Sequence, residues 1–388
     1  MSRLNDLIKE LCPNGVPYKE IKKLCHVTRG RVISKNELRE NEGEYPVYSS
    51  QTLNDGVFGK INTYDFDGEY VQWTTDGANA GSIFYRNGKF SVTNVCGLLK
   101  VKDEYKDILN TKFLNYILGT VSKNYVNYAT SNPKLMSNAV EKIKVAVPPL
   151  EVQKEIEKIL DKFGELEAEL EAELEARKSQ YEFWREKLLN TGNSNQEYIA
   201  LGDIGKVCMC KRIMKNETSD SGDVPFYKIG TFGKQADAYI SYDIFNDYKK
   251  RFSYPKKGEI LVSCSGTIGR SVVFDGEDAY FQDSNIVWLS NDESKVLNKF
   301  LYYFYQTSPW NISDGGTIKR LYNNQFISAK VPLYSLEEQK KIVNILERFD
   351  KLINDITVGL PAEIELRRKQ YEYYRNKLLS FEELSVSE

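Results

Sequence analysis

Two short motifs in this sequence contain residue types that could support catalysis. Residues 266–269 (Gly-Thr-Ile-Gly) suggest a phosphate-binding loop, but the Gly-Lys-Ser/Thr that completes such a loop does not follow. Residues 131–134 (Ser-Asn-Pro-Lys) share Asn-Pro with the Asn-Pro-Pro-aromatic motif of amino-methyltransferases. The second proline and the aromatic residue are missing, which favours a loop turn. The motifs therefore do not indicate an enzyme, although a nuclease that uses carboxylates alone stays open.

Histidine and cysteine do not indicate a metal site either. His26 is the one histidine, and the six cysteines form no Cys-x-x-Cys pair, so we expect free thiols in a reducing cytosol rather than structural zinc. No run approaches the ~18 apolar residues of a membrane span, and the N-terminus lacks the pattern of a signal peptide. We therefore expect a cytoplasmic protein that does not enter a membrane. The cysteines are Cys12, Cys25, Cys96, Cys208, Cys210 and Cys264.

A long repeat organises the chain. Val-Pro at 147–148 and 331–332 precedes a Glu-x-Gln or Glu-Glu-Gln helix start, and residues 180–189 and 370–379 share Gln-Tyr-Glu-aromatic-aromatic-Arg-x-Lys-Leu-Leu. Apolar residues between 156 and 188 recur at steps of three or four, which predicts one helix of about forty residues, roughly 60 Å long. Its matched copy is the natural partner, so we predict an antiparallel coiled coil with a kink at residues 359–361. The alternative is that each helix packs only on its own domain.

The rest of the chain predicts two similar α+β domains. Strand-like runs at 47–48, 70–73, 82–85 and 96–101 precede a helix near 111–118. Much of this pattern recurs later in the chain. For example, residues 43–48 (Gly-Glu-Tyr-Pro-Val-Tyr) resemble residues 222–227 (Gly-Asp-Val-Pro-Phe-Tyr). The predicted segments are a first globular domain at 1–147 with a short helix at 1–17, a central helix at 148–190, a second globular domain at 191–332 that starts with a linker at 191–197, and a C-terminal helix at 333–388.

Charge distribution permits a nucleic-acid partner without requiring one. The chain of 388 residues has net charge −2; segment 151–190 has 12 acidic and 7 basic residues (−5), and segment 333–388 has 11 and 9 (−2). The two globular segments together therefore carry +5, which is mildly basic.

This order of domains and helices resembles the specificity (S) subunit of type I restriction-modification enzymes over essentially the whole chain. The resemblance rests on the two domain-helix units, the Val-Pro helix starts and the run 258–269, although the first domain has 75–81 (Thr-Asp-Gly-Ala-Asn-Ala-Gly) where the second has Ser-Gly-Thr-Ile-Gly. It implies that each globular domain is a target-recognition domain for one half of a split, asymmetric site in double-stranded DNA. It also implies that the paired helices space the domains and dock two methyltransferase subunits. S-adenosylmethionine, ATP and any restriction subunit would then belong to the partners, with no cofactor in this chain.

For that role we predict DNA contacts from basic, amide and hydroxyl side chains in loops, together with Trp73. Ordinary solvated charges or a structural turn are the competing interpretation of each group. The candidates of the first domain are Arg29, Arg31, Trp73, Thr75, Asn79 and Lys134, and those of the second are Lys211, Arg212, Ser265, Thr267, Arg270, Lys319 and Arg320.

Large aromatic residues near the helix ends could anchor the partner, although coil packing is the more conservative interpretation. They are Tyr181, Trp184, Tyr371 and Tyr374. The overall prediction is a non-catalytic DNA-recognition subunit. A self-contained enzyme acting on nucleic acid would instead show activity from the purified chain alone, and a coiled-coil adaptor without DNA function would show no sequence-selective DNA retention.

Overall fold

A computed structural model describes residues 2–129, 131–189, 196–312 and 319–384. The chain forms two compact units, unit 1 (Met1–Leu170 with Ile364–Glu388) and unit 2 (Glu171–Glu363). The boundary falls inside the central helix, because each half of that helix packs with its own globular part. No helix in the described part of the chain is long and apolar enough to cross a membrane.

The helices follow the predicted repeat. They are α1 (Ser2–Leu11), α2 (Ile21–Leu24), α3 (Lys35–Glu40), α4 (Thr111–Val121), α5 (Ser137–Val140), α6 (Leu150–Leu189), α7 (Tyr242–Arg251), α8 (Asn298–Tyr305), α9 (Asn323–Ser328), α10 (Leu336–Asn354) and α11 (Leu360–Leu378).

The strands are short and belong to small sheets. Those of unit 1 are β1 (Tyr18–Glu20), β2 (Cys25–Arg29), β3 (Tyr45–Tyr48), β4 (Val57–Ile61), β5 (Phe66–Asp67), β6 (Tyr70–Thr74), β7 (Ile83–Arg86), β8 (Lys89–Val92), β9 (Cys96–Val101) and β10 (Lys144–Ala146). Those of unit 2 are β11 (Tyr198–Ala200), β12 (Gly205–Cys208), β13 (Val224–Tyr227), β14 (Tyr239–Ile240), β15 (Ile260–Ser263), β16 (Ser271–Val273), β17 (Tyr280–Phe281), β18 (Ile286–Asn291) and β19 (Lys330–Pro332).

The two units share one topology, which confirms the α+β duplication. A four-stranded antiparallel sheet has the order β2-β9-β6-β7 in unit 1 and β12-β18-β15-β16 in unit 2. A second sheet contains one parallel pair in each unit, β3 with β8 and β13 with β17. The pairs β1-β10 and β11-β19 tie the start of each domain to the strand that precedes its long helix. Strand β6 is buried along its whole length, so the turn after it starts from a rigid base.

The structure explains why a glutamine, Gln153, stands at the start of the first long helix. Its side chain is fully buried, and its Nε2 donates to the carbonyl oxygens of Ile108 (2.7 Å) and Pro148 (2.6 Å). Its Oε1 accepts from the backbone N–H of Asn110 at 2.9 Å. One amide thus fastens the start of α6 to the segment that leads into α4.

Gln339 makes the same three bonds in unit 2. Its Nε2 donates to the carbonyl oxygens of Lys295 (2.8 Å) and Tyr334 (2.9 Å), and its Oε1 accepts from the N–H of Leu297 (2.8 Å). The repeated Glu-x-Gln and Glu-Glu-Gln motifs therefore mark equivalent joints between a domain and its helix.

The predicted antiparallel pairing of the long helices is confirmed. In unit 1, Phe163 of α6 stacks on Tyr374 of α11 with ring centroids 5.5 Å apart, and Glu167 pairs with Arg368 at 2.6 Å. In unit 2 the second half of α6 packs on α10, where the ring of Tyr181 lies 6.2 Å from that of Phe349. Each half of α6 also packs on its own domain.

The second long helix is interrupted, but not as predicted. Helix α10 ends at Asn354 and α11 begins at Leu360, so the predicted kink at 359–361 is instead a full stop and restart. The carboxylate of Asp355 accepts from the N–H groups of Thr357 (2.7 Å) and Val358 (3.2 Å), which holds the intervening turn. A proline in the first turn of a helix has no N–H bond to lose there, so Pro361 suits the restart.

Candidate nucleic-acid interface

A basic cluster of unit 1 lies where the turn after β6 meets the segment before α5. Arg29 ends β2, and its Nη2 donates to Thr75 Oγ1 (3.1 Å) and to the carbonyl of Asn94 (2.6 Å). Asp76 forms an isolated β-bridge with Lys134, and its carboxylate lies 3.9 Å from Arg29 and 3.7 Å from Lys134. We call Arg29, Thr75, Asp76 and Lys134 the unit 1 cluster. Its two cations exceed its one anion, which suits contact with phosphate.

The turn itself is shaped by glycine. Gly77 (φ +92°) and Gly81 (φ +82°) have left-handed backbones that other residues adopt at a cost. Between them, Asn79 donates through Nδ2 to the carbonyl of Ser50 at 3.2 Å, which ties this turn to the loop after β3. A direct DNA contact by Asn79 stays a prediction.

The prediction that Trp73 contacts DNA is wrong for this structure. Trp73 is fully buried, its ring covers Gly97, and its Nε1 donates to the carbonyl of Leu135 at 3.0 Å. A Cβ on Gly97 would lie 2.1 Å from that ring, so the contact requires glycine. Trp73 instead holds the backbone next to Lys134. Thr75 is buried as well, and its hydroxyl oxygen accepts a hydrogen bond from Arg29.

Arg31 lies outside the cluster and is already paired. It contacts Glu37 at 2.6 Å and Asp65 at 3.1 Å. The hydrogen bond to Glu37, and then the charge of Asp65, raise the pKa of the Arg31 guanidinium above its usual value. A phosphate would have to compete with both carboxylates, so Arg31 is a weaker candidate than Arg29.

The basic cluster of unit 2 occupies the equivalent place. Arg320 forms an isolated β-bridge with Ser265, and its Nη2 donates to the carbonyl of Ser284 at 2.7 Å. Ser265 Oγ donates to Asn285 Oδ1 at 3.0 Å. We call Arg320, Ser265 and Asn285 the unit 2 cluster. Ser284 has a left-handed backbone (φ +53°), which brings its carbonyl toward Arg320.

The backbone hydrogen bonds show that the two clusters are equivalent. The N–H of Leu135 donates to the carbonyl of Thr75, and the N–H of Leu321 donates to that of Cys264, both at 2.8 Å. The residue before each of these leucines is a cation of its cluster, Lys134 or Arg320. The residue that faces this cation is an acid in unit 1 and a hydroxyl in unit 2, so one scaffold presents two different surfaces.

A polar groove of about 460 Å³ adjoins the unit 2 cluster. Arg212 lies on its wall and pairs with Asp283 at 2.9 Å, and Lys228 pairs with Asp237 at 2.9 Å. Gln282 lines the same groove and accepts from the N–H of Ile229 at 2.9 Å. Groups of this kind can read base edges.

The remaining predicted residues of unit 2 are Lys211, Thr267, Arg270 and Lys319. Arg270 donates to the carbonyl of Phe232 (2.9 Å) and lies 3.5 Å from Thr267 Oγ1, so it braces the glycine-rich turn against the loop after β13. Lys211 and Lys319 are exposed. Residues 313–318, which precede Lys319, lie outside the described residues.

Sequence reasoning missed the acceptors that organise both clusters. Asp76 stands next to Thr75, a predicted residue, so a signal for it was present in the sequence. Asp283 and Gln282 follow β17 and carried no comparable signal. Their importance depends on which strand lies beside them.

The aromatic residues near the helix ends divide into packed and exposed ones. Tyr181 is buried against α10, and the rings of Tyr371 and Tyr374 lie 6.4 and 5.5 Å from that of Phe163. These contacts support the coil-packing interpretation, and for buried Tyr181 the prediction of a partner anchor is wrong.

The exposed aromatic residues are their neighbours. Phe183 is 59% exposed and Tyr373, its equivalent in the repeat, 60%. A lysine four residues on, Lys187 or Lys377, lies 5.8 Å from each ring. Half-buried Trp184 meets Phe183 edge to face at 5.5 Å. The same exposed aromatic-lysine pair thus occurs once in each unit.

One carboxyl group is strongly perturbed. Burial, aided by the negative charge of Asp161, raises the pKa of Glu157 to about 7. Asp161 lies one helical turn further along α6 and pairs with Lys112 of α4 at 2.7 Å. The described residues contain no group of three or more His, Cys, Asp or Glu side chains that could hold a metal ion.

Comparison with known proteins identifies the pattern of domains. The family model for the type I restriction modification DNA specificity domain matches residues 13–176 and 193–366. A Haemophilus influenzae protein named as a type I restriction enzyme specificity subunit is 46% identical over 389 residues, covering 97% of this chain and 98% of that protein. A type I specificity subunit of Mycoplasma pneumoniae is 36% identical, covering 94% and 97%.

Solved structures share the fold. The S subunit of a type I restriction-modification system from M. genitalium has a TM-score of 0.54 at 16% identity, covering 94% of this chain and 96% of that one. A chain from a study of complex assembly and conformational transition of the type I R-M system has a TM-score of 0.60 at 15% identity, covering 95% and 98%.

Proposed function

The chain belongs to the type I restriction-modification DNA specificity family, and we propose that it selects the DNA sequence on which a type I complex acts. Unit 1 reads one half of a split site, and unit 2 reads the other half. The chain itself carries out no chemistry.

The observation that carries this proposal is the pair of equivalent clusters. Identical backbone bonding places one cation beside the turn after β6 and one beside the turn after β15. Lys134 faces Asp76, whereas Arg320 faces Ser265 next to a polar groove. Phosphate contacts position a protein on DNA, and groups at base edges give specificity. Two readers with one scaffold and different side chains suit a bipartite, asymmetric site.

The partners follow from the same duplication. We infer that two methyltransferase subunits dock through the two exposed aromatic-lysine pairs, Phe183 with Lys187 and Tyr373 with Lys377. S-adenosylmethionine and ATP belong to the partner subunits, and a restriction subunit can join them. The cytoplasmic location and the role of the long helices in setting the spacer remain predictions of the sequence.

Methylation mapping tests the proposal. DNA from cells that express this chain with its neighbouring methyltransferase subunit is sequenced by a single-molecule method that detects methylated adenine. We expect methylation confined to one split, asymmetric motif, and none without this chain. An unchanged map, with the partner expressed and bound, would overturn the proposal, as would nuclease or methyltransferase activity from the purified chain alone.

A further inference from the structure

Unit 1 contains a buried arginine that belongs neither to the unit 1 cluster nor to the contacts between the long helices described above. The side chain of Arg86, at the end of β7, is 2% exposed. Its Nε donates to Gln72 Oε1 (2.8 Å), and its guanidinium lies 3.7 Å from the ring of Tyr48. A buried charge is costly unless it is paired and hydrogen-bonded. The residue that pairs with Arg86 therefore shows which part of the structure this arginine stabilises.

That partner belongs to a surface turn. Arg86 Nη1 contacts the carboxylate of Asp55 at 2.6 Å, and its Nη2 donates to the carbonyl of the same residue at 2.7 Å. The turn has three consecutive left-handed residues, Asn54 (φ 51°), Asp55 (φ 50°) and Gly56 (φ 77°). Left-handed non-glycine residues are strained and persist where the surroundings hold them. Opening the turn would leave the guanidinium unpaired, so Arg86 holds it closed.

The turn displays an apolar tip. Leu53 is 82% exposed, and Asn54 beside it is also exposed. A single exposed leucine is ordinary on a protein surface. Here, however, the leucine stands on a turn whose exposed Asp55 pairs with the buried Arg86.

The tip is joined to the candidate interface. Ser50, three residues before Leu53, accepts from Asn79 in the turn that leads from the unit 1 cluster. Ser49 accepts from the buried Gln72 at 3.4 Å and from Thr93 at 3.1 Å. The anchor of the tip and the turn of the cluster therefore share one hydrogen-bonded framework.

We propose that the turn of residues 51–56 is the base-reading element of unit 1. Leu53 makes an apolar contact with a base, Asn54 hydrogen-bonds to a base edge, and Arg86 is the positioning residue that holds both in place. Proteins use apolar side chains against thymine methyl groups and asparagine against adenine in this way. The inference deepens the proposed function and rests on it. Unit 2 reads its half-site with a different device, the groove beside Arg212 and Gln282.

The test is a binding selection with the complex of this chain and its methyltransferase subunit on a randomised DNA library. The wild-type complex is expected to return a bipartite site. Leu53→Ala and Asn54→Ala should each reduce discrimination about tenfold at one or two positions of a single half-site. The matched control is Ile356→Ala, because Ile356 is 81% exposed but lies in the turn between α10 and α11, outside both clusters and the groove. It should leave both half-sites unchanged.

Asp55→Asn tests the anchor. Asparagine tolerates the left-handed backbone, so the turn can keep its conformation while losing the charge that pairs with Arg86. We expect weaker discrimination at the positions affected by Leu53→Ala, with faster hydrogen exchange in residues 51–57 and unchanged exchange in β6. Faster exchange across β6 as well would indicate a merely structural role and would count against a positioning residue.

The outcomes separate the two claims. A wild-type complex that retains DNA without sequence preference defeats the proposed function, and this inference with it. A normal wild-type site that is unaltered by both tip substitutions defeats the inference alone. Loss of complex assembly in the tip variants, with the purified chain still folded, would assign the tip to protein docking and would also overturn it.

Discussion

Replacing either buried helix-start glutamine with methionine should weaken one unit and spare the other. Methionine has nearly the shape of glutamine, so Gln153→Met removes the polar contacts without opening a large cavity. It leaves two carbonyl groups and one N–H without their partner. Each such loss costs about 1 kcal/mol or more. We therefore expect unit 1 to lose about 3 kcal/mol of unfolding free energy, a factor of roughly 100 in its opening equilibrium.

Hydrogen exchange followed by mass spectrometry measures this loss segment by segment, which avoids treating a two-unit chain as a single transition. Exchange in β1, β10 and α4 should accelerate in Gln153→Met, while β11, β19 and α8 stay unchanged. Gln339→Met should give the reverse pattern. Gln180→Met, at an exposed position of α6, is the control and should change neither. A loss below about 1 kcal/mol, or equal effects on both units, would refute the account of these joints.

Three further predictions concern recognition, pH and assembly. Arg320→Met and Lys134→Met should each lower the affinity for DNA about tenfold with little change in the preferred bases, because a lost phosphate contact weakens binding to all sequences; a DNA titration measures the affinity, and a changed base preference at one half-site would contradict the phosphate role of that cation. Glu157→Gln should raise stability at pH 8 by about 1 kcal/mol and flatten the loss between roughly pH 4.5 and 7. The sign follows because a pKa raised in the folded state favours the protonated form, so stability is present at low pH and lost as pH rises through about 7; urea titrations that show no such difference would refute it. Phe183→Ser and Tyr373→Ser should each remove one of two bound methyltransferase subunits, measured by native mass spectrometry, and two retained subunits in both variants would contradict the docking proposal.

The sequence alone was sufficient for the features that depend on local periodicity or on comparison within the chain. Apolar steps of three and four residues predicted α6, because one helix face needs only near neighbours in sequence. The matched Gln153 and Gln339 predicted the duplication, and the structure supplies their shared bonds. The family followed from the order of these elements. The interruption after Asn354 was harder to place, since the stop depends on the turn that Asp355 holds.

Tertiary structure decided which of the candidate side chains are available. Trp73 was predicted to contact DNA, yet its side chain is fully buried over Gly97 of the neighbouring strand β9. The partners of Arg29 and Arg86 come from residues 65 and 31 positions away, and no local pattern encodes such pairings. The formation of a helix depends on residues that are close in sequence. The environment of a polar side chain instead depends on which distant strand packs against it in the folded protein.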